Sequence, residues 1–240
     1  MKYETPLTPG KILKRYKRFL ADVRLESGEV ITAHTPNTGS MKTCWEPEWD
    51  VLLSYHDSPT RKLKYGLEMT NNGDTWINVN TSMTNKIALE ALKNKKIKEL
   101  SQYRYFKPEV KIGQSRIDIL AFNGPDENPR NATKKCYIEV KNVTLLGENN
   151  TALFPDAVST RGQKHLRELI SIKESGHESA MLYVVNREDT ACFAPAREID
   201  PEYAALLIEA EKSGVQILPY RCTLNESEVK IDQSLPYKLI

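Results

Sequence analysis

Two short stretches decide how this chain is read: Ile117-Asp118-Ile119-Leu120 and, after a polar interval, Tyr137-Ile138-Glu139-Val140-Lys141. Both are rich in β-branched and aromatic residues, so each reads as a strand. A carboxylate inside such an apolar run is out of place. Side chains two apart on a strand share a face, so Glu139 and Lys141 emerge together while Val140 packs on the other side. The polar loop between them, residues 123–135, is long enough to join an antiparallel pair. In that pairing Asp118, Glu139 and Lys141 meet on one patch, where two carboxylates raise each other's pKa unless a cation lies between them. Mg²⁺ (or Mn²⁺) answers that repulsion, since Mg²⁺ takes few carboxylate ligands and completes its octahedron with water and substrate phosphate. With Lys141 beside a scissile phosphate, the chemistry would be phosphodiester hydrolysis. The plain alternative is an exposed sheet face with Lys141 as an ordinary ion-pair partner.

Outward from this pair the texture is α/β. Ile87, Ala88, Ala91 and Leu92 fall at helical spacing in residues 84–95, and a further strand is expected near residues 109–111. A helix follows from Thr160, which can cap it, to a stop at Gly176, and then the buried strand 180–185. A last helix has Asp200 as cap, Pro201 at its first position and Gly214 after its last turn, leading into strand 215–218. The preceding 80 residues differ. Phe19, Ala21, Val23 and Leu25 alternate with Asp22, Arg24 and Glu26 before the turn Ser27-Gly28, and more short strands are readable at residues 30–34, 51–55, 63–70 and 75–79. Short strands with almost no helical periodicity suit a small antiparallel barrel, here an OB-like one. The expected organisation is therefore α/β (α+β overall): residues 1–80 as an OB-like nucleic-acid-binding domain and 81–240 as a nuclease-like domain.

Composition narrows the classes. Of 240 residues, 40% are apolar and 28% charged, the profile of an ordinary globular chain. The longest compact apolar run, Met181-Leu182-Tyr183-Val184-Val185, is far short of the roughly 18 residues of a membrane span. The first residues, Met1-Lys2-Tyr3-Glu4-Thr5-Pro6-Leu7, lack the apolar core of a secretion signal, so a cytoplasmic location is expected. Cys44, Cys136, Cys192 and Cys222 are scattered without zinc-ligand spacing and read as small buried residues.

Net charge is +2 but unevenly spread: residues 1–115 hold 19 Lys/Arg against 13 Asp/Glu, and residues 116–240 hold 15 against 19. The excess gathers at residues 11–18 and 93–111 with Tyr16, Phe19, Tyr103, Tyr105 and Phe106 interleaved, a mixture suited to a phosphate backbone with unstacked bases beside it, although a solvated face looks the same. Lys14, Arg15 and Arg18 are the candidate contacts in the first of these runs, and Arg61 and Lys62, which precede a strand, are candidates bordering the groove of the loop described next. The loop Pro36-Asn37-Thr38-Gly39-Ser40 offers backbone N–H groups and hydroxyls, which makes Asn37, Thr38 and Ser40 candidates for phosphate or sugar, or else simply a tight barrel turn. Gln163-Lys164-His165 lies in the opening turns of its helix, where an amide and an ammonium can meet phosphate.

The order of helix, Asp strand, Glu-x-Lys strand and helix resembles the PD-(D/E)xK nuclease superfamily. That resemblance implies Glu90 as an accessory metal ligand, Asp118 and Glu139 as the principal ligands, Lys141 as the catalytic lysine and Gln163 as a helper. Ile117 stands where the superfamily's first motif has proline. A more specific likeness extends over nearly the whole chain. Arg18-Phe19-Leu20-Ala21-Asp22-Val23, His34-Thr35-Pro36-Asn37-Thr38-Gly39-Ser40-Met41, Arg61-Lys62-Leu63, Ser115-Arg116-Ile117-Asp118, Glu139-Val140-Lys141-Asn142-Val143-Thr144-Leu145, Phe154-Pro155-Asp156-Ala157 and Arg161-Gly162-Gln163-Lys164-His165-Leu166 together resemble the sugar fermentation stimulation protein A family. Thr43-Cys44 replaces the glycine-leucine usual after the Gly39-Ser40-Met41 element. The likeness implies an OB-type domain followed by a nuclease-like one, DNA as partner, Arg116 among the DNA contacts, and a link to sugar-utilisation genes.

Three readings remain open at this point: a metal-dependent DNA nuclease, a DNA-binding regulator whose nuclease-like domain is silent, and a small-molecule or sugar-binding protein. The last lacks any cofactor fingerprint such as G-x-G-x-x-G. Strandedness of the DNA, RNA as an equal partner and assembly into a homo-oligomer are not legible.

Overall fold

The computed structural model describes residues 1–112 and 115–239. Strands β1 (Thr8–Tyr16), β2 (Leu20–Leu25), β3 (Val30–His34), β4 (Asp50–Tyr55), β5 (Tyr65–Asn71) and β6 (Trp76–Asn78) form one sheet in the order β3-β2-β1-β4-β5-β6. A parallel pairing of Ala33 with Tyr65 joins β3 to β5 and closes five of these strands into the barrel of an OB fold. Closure removes the free edges that a five-stranded ribbon would leave. Ile12, Ala21, Val23, Ala33, Val51, Leu53 and Leu67 fill it. Ala21 and Val23 point inward as the alternation requires, but Phe19 sits in the turn before β2 and is 44% exposed.

β1 lies where the sequence shows only a basic strip. Its inward positions at the centre are Gly10 and Ile12, so a single large apolar side chain marks the buried face. One point is too few for a period.

The second unit begins with α1 (Thr84–Lys93) and contains β7 (Tyr105–Ile112), β8 (Ser115–Asn123), β9 (Lys134–Val143), β10 (Leu145–Leu146), β11 (Thr151–Phe154), α2 (Thr160–Glu174), β12 (Glu178–Val185), β13 (Cys192–Pro195), α3 (Pro201–Lys212), β14 (Gln216–Leu224) and β15 (Val229–Ser234). Its main sheet runs β15-β14-β12-β9-β8-β7, with β9, β12 and β14 parallel and the outer strands antiparallel. A small sheet, β10-β11-β13, stands beside it. β10, β11 and β13 are short, and β15 alternates apolar Val229 and Ile231 with exposed Lys230 and Asp232; none of these four strands was expected.

Central strand β12 shows how the layers are made. Ala180, Leu182 and Val184 join the cluster under α1 with Ile87, Ala88 and Leu92, whereas Met181, Tyr183 and Val185 join the cluster under α2 and α3 with Leu166, Leu169, Tyr203 and Leu207. A strand covered on both faces reads as an unbroken apolar run. The α1 cluster also takes in Leu52 and Met69 from the barrel, so the two units share packed core. The α2 cap is Ser159, one residue before Thr160; its hydroxyl accepts from Gly162 N at 3.0 Å. Asp200 caps α3 and accepts from Tyr203 N at 2.9 Å. Cys44, Cys136 and Cys222 are buried, and Cys192 is half-buried. Among the described residues, no helix is long and apolar enough to cross a membrane.

Candidate functional site

β8 and β9 pair with Ile119 opposite Ile138 and Leu120 opposite Tyr137. One step further the pairing of β8 with β9 ends, and Val140 N donates to Asp118 Oδ2 at 2.9 Å. β8 continues beside β7 as far as Ser115, while β9 continues beside β12 as far as Val143. The strands part at Asp118, next to Glu139.

Asp118 Oδ1 accepts from Asn85 Nδ2 at 2.9 Å, which ties the carboxylate to the first turn of α1. Burial, then the negative charge of Glu139, raises the Asp118 pKa above the ordinary carboxylate value despite these hydrogen bonds. Glu139 shifts the other way. Burial pushes it up, but the hydrogen bond from His165 and the charge of Lys141 prevail and hold it below its usual value. Lys141 Nζ lies 2.6 Å from Glu139 Oε1 and 3.0 Å from His165 Nδ1, and His165 Nδ1 contacts the same oxygen. Glu139 Oε2 is buried and has no hydrogen-bond partner. An orphaned acceptor of this kind costs about 1–3 kcal/mol, more for a charged group.

Two carboxylates, one with an unused hard oxygen, fit a cation that takes its remaining ligands from water and phosphate. Among the described residues no cluster of three His, Cys, Asp or Glu side chains could hold a metal by itself. Glu90 does not join Asp118 and Glu139. It lies five residues beyond Asn85 on α1, about 140° further round the helix, and its Oε2 meets the amino group of Met1 at 2.6 Å.

Gln163 is buried, and its amide donates to both oxygens of Asp200, at 2.9 and 3.2 Å. Asp200 also accepts from Ser159 N at 2.8 Å, so Gln163 helps to bind the starts of α2 and α3 together. His165, two residues on and about 200° round the helix, is the α2 residue that reaches Glu139 and Lys141. The sequence signal for His165 was its place in the same motif. Asn142 extends the site toward the barrel: its Oδ1 accepts from Thr84 Oγ1 at 3.0 Å and Asn186 Nδ2 at 2.6 Å, and Asn78 Nδ2 donates to Asn186 Oδ1 at 3.1 Å.

The candidate nucleic-acid residues divide sharply. Arg15 spends one guanidinium nitrogen on the carbonyls of Arg18, Asn37 and Gly39. Asn37 Oδ1 accepts from Gly39 N, and the N–H and hydroxyl of Ser40 both donate to Asp156 Oδ2 at 2.9 Å. A Cβ on Gly39 would stand 2.7 Å from Asp156 Oδ2, so glycine permits this approach. The loop thereby latches barrel to α/β sheet; Asp156 serves that latch, with Arg161 exposed beyond it. Lys14 pairs with Asp22, Arg116 with Glu109 and Lys164 with Glu168, all with the cation exposed. Thr38, Arg18, Arg61 and Lys62 are exposed.

Comparison with known proteins follows the same division. Residues 13–79 match the model of the SfsA N-terminal OB domain, and residues 82–228 match that of the sugar fermentation stimulation protein RE domain. Sugar fermentation stimulation protein homologs from Geotalea uraniireducens and Citrifermentans bemidjiense are 46% and 48% identical over 240 residues, covering all of this chain and all of each relative. A solved structure described as Pyrococcus furiosus SfsA in complex with Ca²⁺ superposes with a TM-score of 0.84 at 25% identity, over 99% of this chain and 98% of that one. With both domain models matched in order and full-length relatives at this identity, the chain belongs to the sugar fermentation stimulation protein family.

Proposed function

We propose that this protein binds DNA and hydrolyses its phosphodiester bonds with a divalent cation, Mg²⁺ or Mn²⁺, held by Asp118 and Glu139. The observation that carries this reading is the buried, unpartnered Oε2 of Glu139 beside Asp118 at the point where β8 and β9 part. The Ca²⁺ named for the Pyrococcus furiosus structure belongs to the same class of hard cation. When bound, the cation supplies Lewis-acid charge that lowers the pKa of a water and offsets charge building on the phosphate.

The chain's own residues do the rest. Lys141, anchored on Glu139 Oε1, directs its ammonium to a phosphate oxygen or to the attacking water. His165 pins both of those side chains and is a positioning residue. Asn85 and Val140 N–H hold the Asp118 carboxylate in place. Arg18, Arg61, Lys62 and the exposed face of β7 would meet the DNA backbone, with binding that weakens steeply in salt. A silent DNA-binding role is the second reading, favoured by the diversion of Glu90 to the amino terminus, which leaves two carboxylates at the site.

The test is incubation of labelled single- and double-stranded DNA with the purified protein in Mg²⁺, Mn²⁺ or EDTA, alongside Glu139→Gln and Lys141→Ala. Metal-dependent cleavage abolished by both substitutions is the expected result. Binding without cleavage in every condition would replace it with the silent reading.

A further inference from the structure

A second buried carboxylate, Glu68 on β5, has no part in the chemistry above. It is 5% exposed, and the partners of its two oxygens are neutral: Ser54 Oγ donates to Oε1 at 2.6 Å and Asn80 Nδ2 to Oε2 at 2.7 Å. A carboxylate has about four acceptor positions, so each oxygen can take one more donor. Burying a negative charge without a cation is costly, and a ligand that brings N–H donors relieves that cost.

Glu68 lies on the wall of a 560 Å³ cavity between the barrel, the amino-terminal segment and the start of α1. Three further features of this cavity point to one kind of occupant. Tyr55 is 43% exposed at the cavity's edge; its ring meets Tyr65 at 5.2 Å and the flexible, exposed Lys64 ammonium at 5.8 Å, and a planar base that displaces Lys64 can stack there. Arg61 and Lys86 line it with exposed cations, suited to phosphate. Tyr3 also lines it, and its hydroxyl is buried without a partner; burial first, then the charge of Glu68, pushes its pKa up. The space around the carboxylate depends on Gly66, since a Cβ there would stand 2.8 Å from Ser54 Oγ and 3.7 Å from Glu68 Oε1.

We infer that this cavity is a nucleobase subsite in which Glu68 reads the paired N–H edge of an unpaired guanine. A guanine presents a ring N–H and an exocyclic amine side by side, matching the two open acceptor positions; adenine, thymine and neutral cytosine do not. This inference deepens the nucleic-acid reading and rests on it for the source of the base, whereas the edge chemistry would be the same for a free guanine nucleotide.

Fluorescence anisotropy with a labelled oligothymidylate carrying one central guanine, adenine, cytosine or thymine, with and without Ca²⁺, tests the strand source. Calorimetry with deoxyguanosine monophosphate tests the free nucleotide. The guanine strand is expected to bind about tenfold or more tightly than the other three, the discrimination typical of a two-bond base contact. Glu68→Gln should erase that preference while leaving binding of the thymine strand in place, because a glutamine can still accept from Asn80 and donate to Ser54. Tyr55→Ala, a change at an exposed ring, should weaken all four strands. Equal binding of the four strands, unaffected by Glu68→Gln, would overturn the subsite and leave the nucleic-acid reading standing. Mononucleotide binding lost in Glu68→Gln, with no strand bound, would uphold the subsite and overturn its attachment to DNA. If neither probe binds, the subsite falls, and the double-stranded arm of the cleavage assay decides the nucleic-acid reading on its own.

Discussion

The carboxylate pair on the α/β sheet and the Asn37–Ser40 loop are both dense in polar groups, yet they use them in opposite ways. In the loop, one Arg15 guanidinium nitrogen donates to the carbonyls of Asn37 and Gly39, Asn37 Oδ1 accepts from Gly39 N–H and Ser40 donates twice to Asp156, while Arg15 Nε is buried without a partner. At the parting of β8 and β9, Glu139 keeps one oxygen unpaired while its other oxygen gathers Lys141 and His165. A network whose carboxylate oxygens are spent on donors ties a fold together, and a buried carboxylate oxygen left without a donor is an opening for a cation. The loop holds two units together; the carboxylate pair keeps an oxygen open.

Removing one group from each region should give the largest difference between them. Lys141→Ala should lower single-turnover DNA cleavage by about 10²-fold or more, the size of effect seen when one group stabilising a charged transition state is lost. Asp156→Ala should leave the cleavage rate per folded molecule within a few-fold but lower stability by about 1–3 kcal/mol in a urea melt, since Ser40 loses both of its acceptor contacts. Equal loss of cleavage in both variants would erase the distinction between the two regions.

A smaller effect separates the two carboxylates themselves. The folded pKa of Glu139 is depressed, so its contribution to stability is present above the unfolded value near 4.5 and is lost as pH falls through the folded pKa. Asp118 has a raised folded pKa, so its contribution is present below the unfolded value near 3.8 and is lost as pH rises through the folded pKa. At neutral pH ionised Asp118 therefore costs stability. Asp118→Asn should then melt no lower than the parent at pH 7, and Glu139→Gln should melt well below it, having left Lys141 without its buried partner. A lower melting temperature for Asp118→Asn than for Glu139→Gln would show that these shifts are assigned to the wrong residues.

The smallest effect is at the surface. Lys164→Ala, which removes an exposed ion pair with Glu168, should change stability by less than about 0.5 kcal/mol. Arg61→Ala should reduce the salt slope of DNA binding by about one. An unchanged slope would take Arg61 off the backbone contacts.

Legibility followed the density of apolar residues. β12 could be read because every position from Ala180 to Val185 is buried, and β2 because Ala21 and Val23 alternate with charged neighbours. β1 was read as a basic strip because only Ile12 marks its inner face. The type and spacing of Asp118, Glu139 and Lys141 were visible because a strand period and a register are nearly one-dimensional facts. Partners across the chain are not. Glu90 and Gln163 had the right chemistry on the right helices, but their rotation about the helix axes takes one to Met1 and the other to Asp200. His165 and Asn85 reach the site for the same geometric reason.

Calorimetric titration of Mn²⁺ into the protein at neutral pH tests the carboxylate pair. A divalent site is expected in the parent and lost in both Asp118→Asn and Glu139→Gln. The same affinity in Asp118→Asn as in the parent would contradict it.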